Sequence, residues 1–94
     1  MGTRARKLDK SVHSGGQSAF CELMITARKA AGLTQHELAD RLHKPQSFVA
    51  KYEGGERRID VVEFLAVCQA IGVDSAKLLK ALKNAIATVN QRSA

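Results

Sequence analysis

The stretch from Leu33 to Glu53 leaves the chain little choice of conformation. Thr34 is a good helix N-cap and Glu37 stands three residues on, so each can satisfy an orphan backbone N–H of the other as a capping box. Leu33, just before the cap, is placed to pack on Leu38 as a hydrophobic staple. Leu38, Ala39 and Leu42 then recur on one face. Pro45 fits only the first turn of a helix, so His43-Lys44 is a tight turn and a second helix, Pro45 to Glu53, starts there. At about 100° per residue, Val49 and Tyr52 fall on one side of it and Ser47, Ala50 and Lys51 on the other. The pattern predicts two short helices, the second presenting a polar edge outward.

The flanks follow the same grammar. Before the motif, Phe20, Leu23, Met24, Ala27 and Ala31 recur at helical spacing from about Gln17-Ser18, and Gly32 is a C-terminal cap. After it, Gly54-Gly55 release the chain into a polar Glu56-Arg57-Arg58 loop. Asp60 then caps a fourth helix, Glu63 completes its box and Ile59 is placed to staple to Phe64. Val61, Phe64, Leu65, Cys68 and Ile71 are expected to line that helix, with Gly72 closing it. A fifth begins at Asp74 or Ser75, with Val73 and Leu78 as its staple, and Leu78, Leu79, Leu82, Ile86 and Val89 continue its stripe. Ile86 and Val89 suit core padding or a dimer contact equally. There is no strand signal and no internal repeat, so the expected class is all-α, a compact five-helix domain spanning residues 18–90, with a fraying tail at 91–94. Residues 1–17 have no hydrophobic period and carry Arg4, Arg6, Lys7 and Lys10 against Asp9. They read as a disordered basic arm, either a solvated tail or a segment touching phosphates or a minor groove.

Composition bounds the partners. Ninety-four residues with 45% hydrophobic content make one domain with a core. Aromatics are few, so the core is mainly aliphatic. Fifteen basic residues against nine acidic give a net charge of +6, which favours a polyanion. No apolar run is long enough to span a membrane, and no signal-peptide core is present, so a cytoplasmic protein is expected. Cys21 and Cys68 lack any zinc-type spacing and read as reduced, structural thiols.

Arg28-Lys29-Ala30-Ala31-Gly32-Leu33-Thr34-Gln35, Glu37-Leu38-Ala39 and Tyr52-Glu53-Gly54-Gly55-Glu56-Arg57 together resemble the phage-repressor and Cro-like (XRE-type) helix-turn-helix family of DNA-binding domains, over about Phe20 to Leu82. Pro45 to Val49 and the Arg57-Arg58-x-Asp60-Val61-x-Glu63-Phe64-Leu65 run extend the likeness. Two departures stand out. His43 occupies a turn position that is usually glycine, so it is expected to take a positive φ. The usual proline after the second helix of the motif is absent, with Ile59-Asp60 in its region. The resemblance implies a lambda-repressor-like fold and a sequence-specific regulator of transcription, a repressor by expectation, acting on double-stranded DNA as a homodimer. It also implies an ion pair between Arg28 and Glu53, and the helical angles agree, since Glu53 falls beside Val49 on the inward side.

The major groove admits one α-helix, and the first residues of a reading helix reach bases first. Gln46 and Ser47 are therefore the leading base-reading candidates. Lys51 lies one turn further along, and Phe48 sits at the face's boundary, better suited to the core than to a thymine methyl. Gln35, in the first turn after Thr34, matches the family's backbone-contacting glutamine. Lys44, Arg57 and Arg58 flank the reading helix as further phosphate candidates. An enzyme is not expected: His36-Glu37 begins a zinc-protease motif, but Asp40 stands where the second histidine belongs. No cofactor or metal is called for. The competing reading is an antitoxin or interaction module that grips a protein partner through its C-terminal helix.

Overall fold

The computed structural model describes residues 15–93, with side chains described as far as residue 88. Five helices follow in order: α1 Gly15–Ala30, α2 Gln35–Leu42, α3 Gln46–Glu53, α4 Val61–Ile71 and α5 Ser75–Ser93. No strand occurs among the described residues. The basic arm expected over residues 1–17 lies outside them as far as residue 14, and its last residues, Gly15 to Gln17, already belong to α1.

The helix ends are made by the side chains the sequence places there. Thr34 Oγ1 accepts from the Glu37 N–H at 3.0 Å, and Glu37 Oε1 accepts from the Thr34 N–H at 2.9 Å. Asp60 and Glu63 repeat the arrangement at α4, at 2.7 and 2.9 Å. Asp74 caps α5 by accepting from the Ala76 N–H at 2.9 Å. Three helices close on a left-handed residue: Gly32, Gly72 and, after α2, His43 at φ 56°. The His43 N–H bonds Asp40 O at 3.1 Å and the Lys44 N–H bonds Ala39 O at 3.0 Å. That paired closure is what turns the chain from α2 into α3. Pro45 serves as the N-cap of α3, one residue outside the helix rather than in its first turn, with extended ψ of 154°.

Every helix contributes to one core: Met24 from α1, Leu38 and Ala39 from α2, Val49 and Tyr52 from α3, Phe64, Val67, Cys68 and Ile71 from α4, and Leu78 from α5. Ala39 is fully buried, and its methyl lets α2 cross its neighbours closely. Both cysteines are free and buried, and burial pushes their thiols up from the ordinary value. Cys21 Sγ donates to Tyr52 O at 3.3 Å and so ties α1 to α3.

Four expectations need correcting. On α4, Val61 and Leu65 are exposed, while Val67 is fully buried. That helix is apolar almost all round, so periodicity could not set its phase, and its packing against α2 and α5 did. On α5, Leu79 is half exposed, because α5 packs chiefly on α1 and turns Leu79 away from it. At the other end, α1 starts at Gly15, ahead of Gln17-Ser18, because its first turn lies against Ile86: a Cβ on Gly16 would stand 3.8 Å from that side chain. Tertiary contact here overrides the poor helix propensity of glycine. That contact also makes Ile86 part of the packing between helices, while the side chain of Val89 lies outside the described residues. Finally, α5 continues to Ser93, through residues expected to fray.

The two boxes carry a pH dependence. The Thr34 N–H, then the Thr34 hydroxyl, holds the Glu37 carboxyl below its ordinary 4.5. The Arg57 guanidinium, then the Asp60 N–H, does the same for Glu63. A carboxyl depressed in the folded state binds fewer protons there than in the unfolded chain, so its stabilisation is present at neutral pH and is lost as the pH falls below 4.5. Urea unfolding across that range is expected to show a steep acid limb for the native chain. A Glu37→Gln/Glu63→Gln variant is expected to be less stable at pH 7 but to have a flatter limb.

Candidate nucleic-acid interface

α3 has a committed side and an uncommitted one. Val49, Tyr52 and Glu53 are buried. Gln46, Ser47 and Lys51 are exposed, and Ala50 is half-buried between them. The outward edge thus carries Ser47 and Lys51, the polar residues that the helical angles select, with Gln46 exposed at the start of the helix, and the buried side fixes the helix to α1, α2 and the rest of the core.

That fixing centres on an ion pair. Arg28 Nε donates to Glu53 Oε2 at 2.8 Å and Arg28 Nη2 to Glu53 Oε1 at 3.0 Å, a two-pronged contact with only 9% and 3% of the two side chains exposed. Arg28 Nη1 donates to Leu33 O at 2.7 Å, so the same guanidinium also holds the entry into α2. Its partner Glu53 raises the Arg28 pKa above the ordinary value, against the effect of burial.

Glu53 makes a further contact. Its Oε1 accepts from Gln35 Nε2 at 2.9 Å. Gln35 Oε1 in turn accepts from Gln46 Nε2 at 2.8 Å. A continuous relay, Arg28–Glu53–Gln35–Gln46, therefore leads from the buried ion pair to the exposed first turn of α3. Sequence reasoning found the ion pair and named both glutamines, but not the link between them. The available signal was a pair of amides in the first turns of two helices joined by a tight turn, each able to donate and to accept.

The other candidates divide. Lys44 is exposed in the turn, with Nζ 5.5 Å from the centre of the Phe48 ring. Phe48 is half-buried, meets Tyr52 edge-on at 5.5 Å and is packed against the core. Arg57 also lies over that ring, its Cζ 4.9 Å from the centroid, and grips Glu63 with both terminal nitrogens at 3.2 and 3.0 Å. It also donates to Arg58 O at 2.9 Å. Arg57 is thus a clamp between the loop after α3 and the start of α4. Arg58 lines a hollow with Phe20, Ile59, Leu82 and Ile86, on the α1–α5 side of the molecule. The structure gathers Gln35, Lys44, Gln46 and Phe48 around the start of α3 and leaves Arg58 outside that group.

The helix-turn-helix family model matches residues 24–78, more than half of the chain. Among solved structures, an XRE-family like protein from Pseudomonas syringae pv. tomato is 49% identical, with a TM-score of 0.73 over 80% of this chain and 92% of that one. The restriction-modification controller protein C.AhdI from Aeromonas hydrophila is 28% identical, with a TM-score of 0.60 over 65% and 92% of the two chains. The controller protein C.Esp1396I, solved as a tetramer in complex with its natural 35 base-pair operator, is 18% identical, with a TM-score of 0.71 over 79% and 97%. No curated protein matches the chain at a significant level.

Removing one partner of the buried pair strands the other charge. Arg28→Met is expected to lower unfolding stability by about 3–5 kcal/mol. The double variant Arg28→Met/Glu53→Leu, which leaves no buried charge, is expected to regain a large part of it. A urea-denaturation double-mutant cycle measures both; an Arg28→Met loss below about 1 kcal/mol would place the pair in the class of exposed ion pairs.

Proposed function

The chain belongs to the phage-repressor and Cro-like (XRE-type) family of helix-turn-helix DNA-binding regulators, and from that premise we propose that it is a repressor that reads the major groove with the exposed edge of α3. The observation that carries this reading is the contrast on α3 itself. Its inward side is locked by Val49, Tyr52 and the Arg28–Glu53 pair, and its outward edge offers Gln46, Ser47 and Lys51. A reading helix needs both properties, since base edges reward only side chains held in register. Gln46 and Ser47, in the first turn, face bases; Lys51 reaches a guanine edge or a phosphate. Phe48 supports the edge from below. Phosphates are bound by Lys44 and by the first-turn backbone of α2 at Gln35, the positive end of that helix. Arg57 and Arg58 contribute charge from the loop after α3. Repression follows from occupancy: a regulator seated on its operator excludes other proteins from that DNA.

One domain spans only a few base pairs, and two copies on neighbouring half-sites supply the rest. The relative solved on an operator is a tetramer there. On this chain the second copy covers the apolar face where α4 meets α5. Val61, Val62, Leu65 and Leu79 are exposed there. Val61, Leu65 and Leu79 line a largely apolar hollow of about 200 Å³ together with Phe20, Ile59, Asp60 and Phe64. Val62, exposed next to this hollow, and the hollow itself suit a two-fold contact, in which each copy offers both. This refines the expectation of a contact through the end of helix five.

Binding to an operator selected from random DNA tests the reading. Gln46→Ala is expected to cost about 1–3 kcal/mol on that operator and to relax preference at one base pair. Lys44→Ala is expected to weaken all sequences alike and to reduce the salt dependence. Equal losses on every sequence for both variants would remove Gln46 from the base-reading set. For the second copy, sedimentation or light scattering is expected to give a dimer that Val62→Asp/Leu65→Asp converts to a folded monomer with weaker operator binding. A wild-type monomer on both free and operator DNA would overturn that contact.

A further inference from the structure

Arg57 is held in a way that leaves one identifiable edge of its guanidinium unused. A guanidinium carries five N–H groups at fixed directions in one plane. Nη1 uses both of its own, on Glu63 Oε1 at 3.2 Å and on Arg58 O at 2.9 Å. Nη2 uses one, on Glu63 Oε2 at 3.0 Å. The Phe48 ring, its centre 4.9 Å from Cζ, closes off one side. Glu63 is itself fixed. Its Oε1 also accepts from the Asp60 N–H at 2.9 Å, and its own N–H donates to Asp60 Oδ1 at 2.7 Å. The N–H on Nε and the second N–H on Nη2 meet no acceptor among the described residues. These two are parallel and share one edge of a side chain that is 42% exposed.

Two parallel N–H groups on a guanidinium are matched by two oxygens on one centre, as on a phosphate. Phe48 is a residue of α3, so Arg57 stands beside the reading helix, where a duplex in contact with α3 presents its backbone. Lys44 Nζ, 5.5 Å from the centre of the same ring, adds a second positive charge there. We propose that Glu63 presents Arg57 as a two-pronged clamp for one backbone phosphate, so that an acidic residue strengthens DNA binding. Glu63 is a positioning residue in this scheme and does not touch the DNA. The proposal rests on the reading of α3 as the base-reading helix and goes beyond it, because it gives a carboxylate on α4 a part in binding. Charge alone has the opposite sign, since removing Glu63 makes the protein more positive. Orientation outweighs charge here. Two-pronged bonds to phosphate need both N–H groups aimed together, whereas repulsion between a partly exposed carboxylate and a phosphate is screened over about 8 Å at physiological ionic strength.

The test uses the full chain, an operator selected from random DNA and one fixed salt concentration. Operator phosphates are replaced singly by uncharged methylphosphonates. One replacement is expected to weaken wild type by about tenfold and to have little effect on Arg57→Lys, which keeps the charge but has no fork. Glu63→Gln keeps the length of the side chain and can still cap α4. It is expected to bind the unmodified operator about fivefold more weakly, although it is more positive, and to lose most of its sensitivity at that phosphate. In an Arg57→Lys background the same substitution is expected to cause no further weakening. Glu63→Asp keeps the charge but falls one methylene short of the grip. It is expected to lose the same sensitivity, and it carries the test if circular dichroism shows Glu63→Gln to be unfolded. Three outcomes overturn the proposal. A wild type that binds no duplex removes the reading of α3 and the clamp with it. No phosphate that distinguishes wild type from Arg57→Lys removes the clamp and leaves the reading of α3 intact. Tighter binding by Glu63→Gln, or full sensitivity at the clamped phosphate in a folded Glu63 variant, removes the role of Glu63 alone.

Discussion

The Arg28–Glu53 pair is the contact on which the arrangement of the motif depends. Hydrophobic burial is proportional to area and indifferent to direction, so it would tolerate α3 sliding or turning against α1. A two-pronged guanidinium–carboxylate contact does not, because both N–H groups must point along the carboxylate plane. The third nitrogen of the same guanidinium holds Leu33 O, so one side chain on α1 fixes the start of α2 and the end of α3 together. Burying two charges is costly, and apolar pairs of the same volume often stabilise as well. The return here is geometric: Glu53 keeps a lone pair for Gln35, and the outer edge of α3 inherits its registration from the interior.

A second clamp works at the other end of α3. Glu63 caps α4 by accepting from the Asp60 N–H and at the same time grips Arg57, whose guanidinium lies on the Phe48 ring. Phe48 in turn stands edge-on to Tyr52 in the core. The loop after α3 is thus pinned to the helix before it and the helix after it by one arginine. Both ends of a short helix, which would be marginal alone in water, are held by charge-assisted contacts. Its middle is held by Val49 and Tyr52. What remains outside is the edge that can approach another molecule.

Much of this was legible because the signals are local. A threonine three residues before a glutamate, an aspartate three residues before another, and glycines after apolar runs specify helix ends through bonds that involve only neighbours in the chain. The Arg28–Glu53 pair is not local, and it was the resemblance to the family that implied it, with the helical angle of Glu53 in agreement. The α4 face was not legible. Val61, Val62, Leu65 and Val67 are chemically alike, and nothing along the helix says which of them turns inward. The same ambiguity placed Leu79 in the core and hid the apolar face that α4 and α5 leave open.

The sequence by itself determined where α2 and α4 start and stop, that the helices share one core, and that α3 turns Ser47 and Lys51 away from it. It did so because caps, turns and the 3.6-residue period act over a few residues. Only the tertiary structure decided which valines of α4 meet water, how far α1 extends beneath Ile86, and that Gln46 is joined through Gln35 to a buried carboxylate. These depend on how separate helices cross and on the direction of hydrogen bonds between residues far apart in the chain, and no spacing along the chain encodes either.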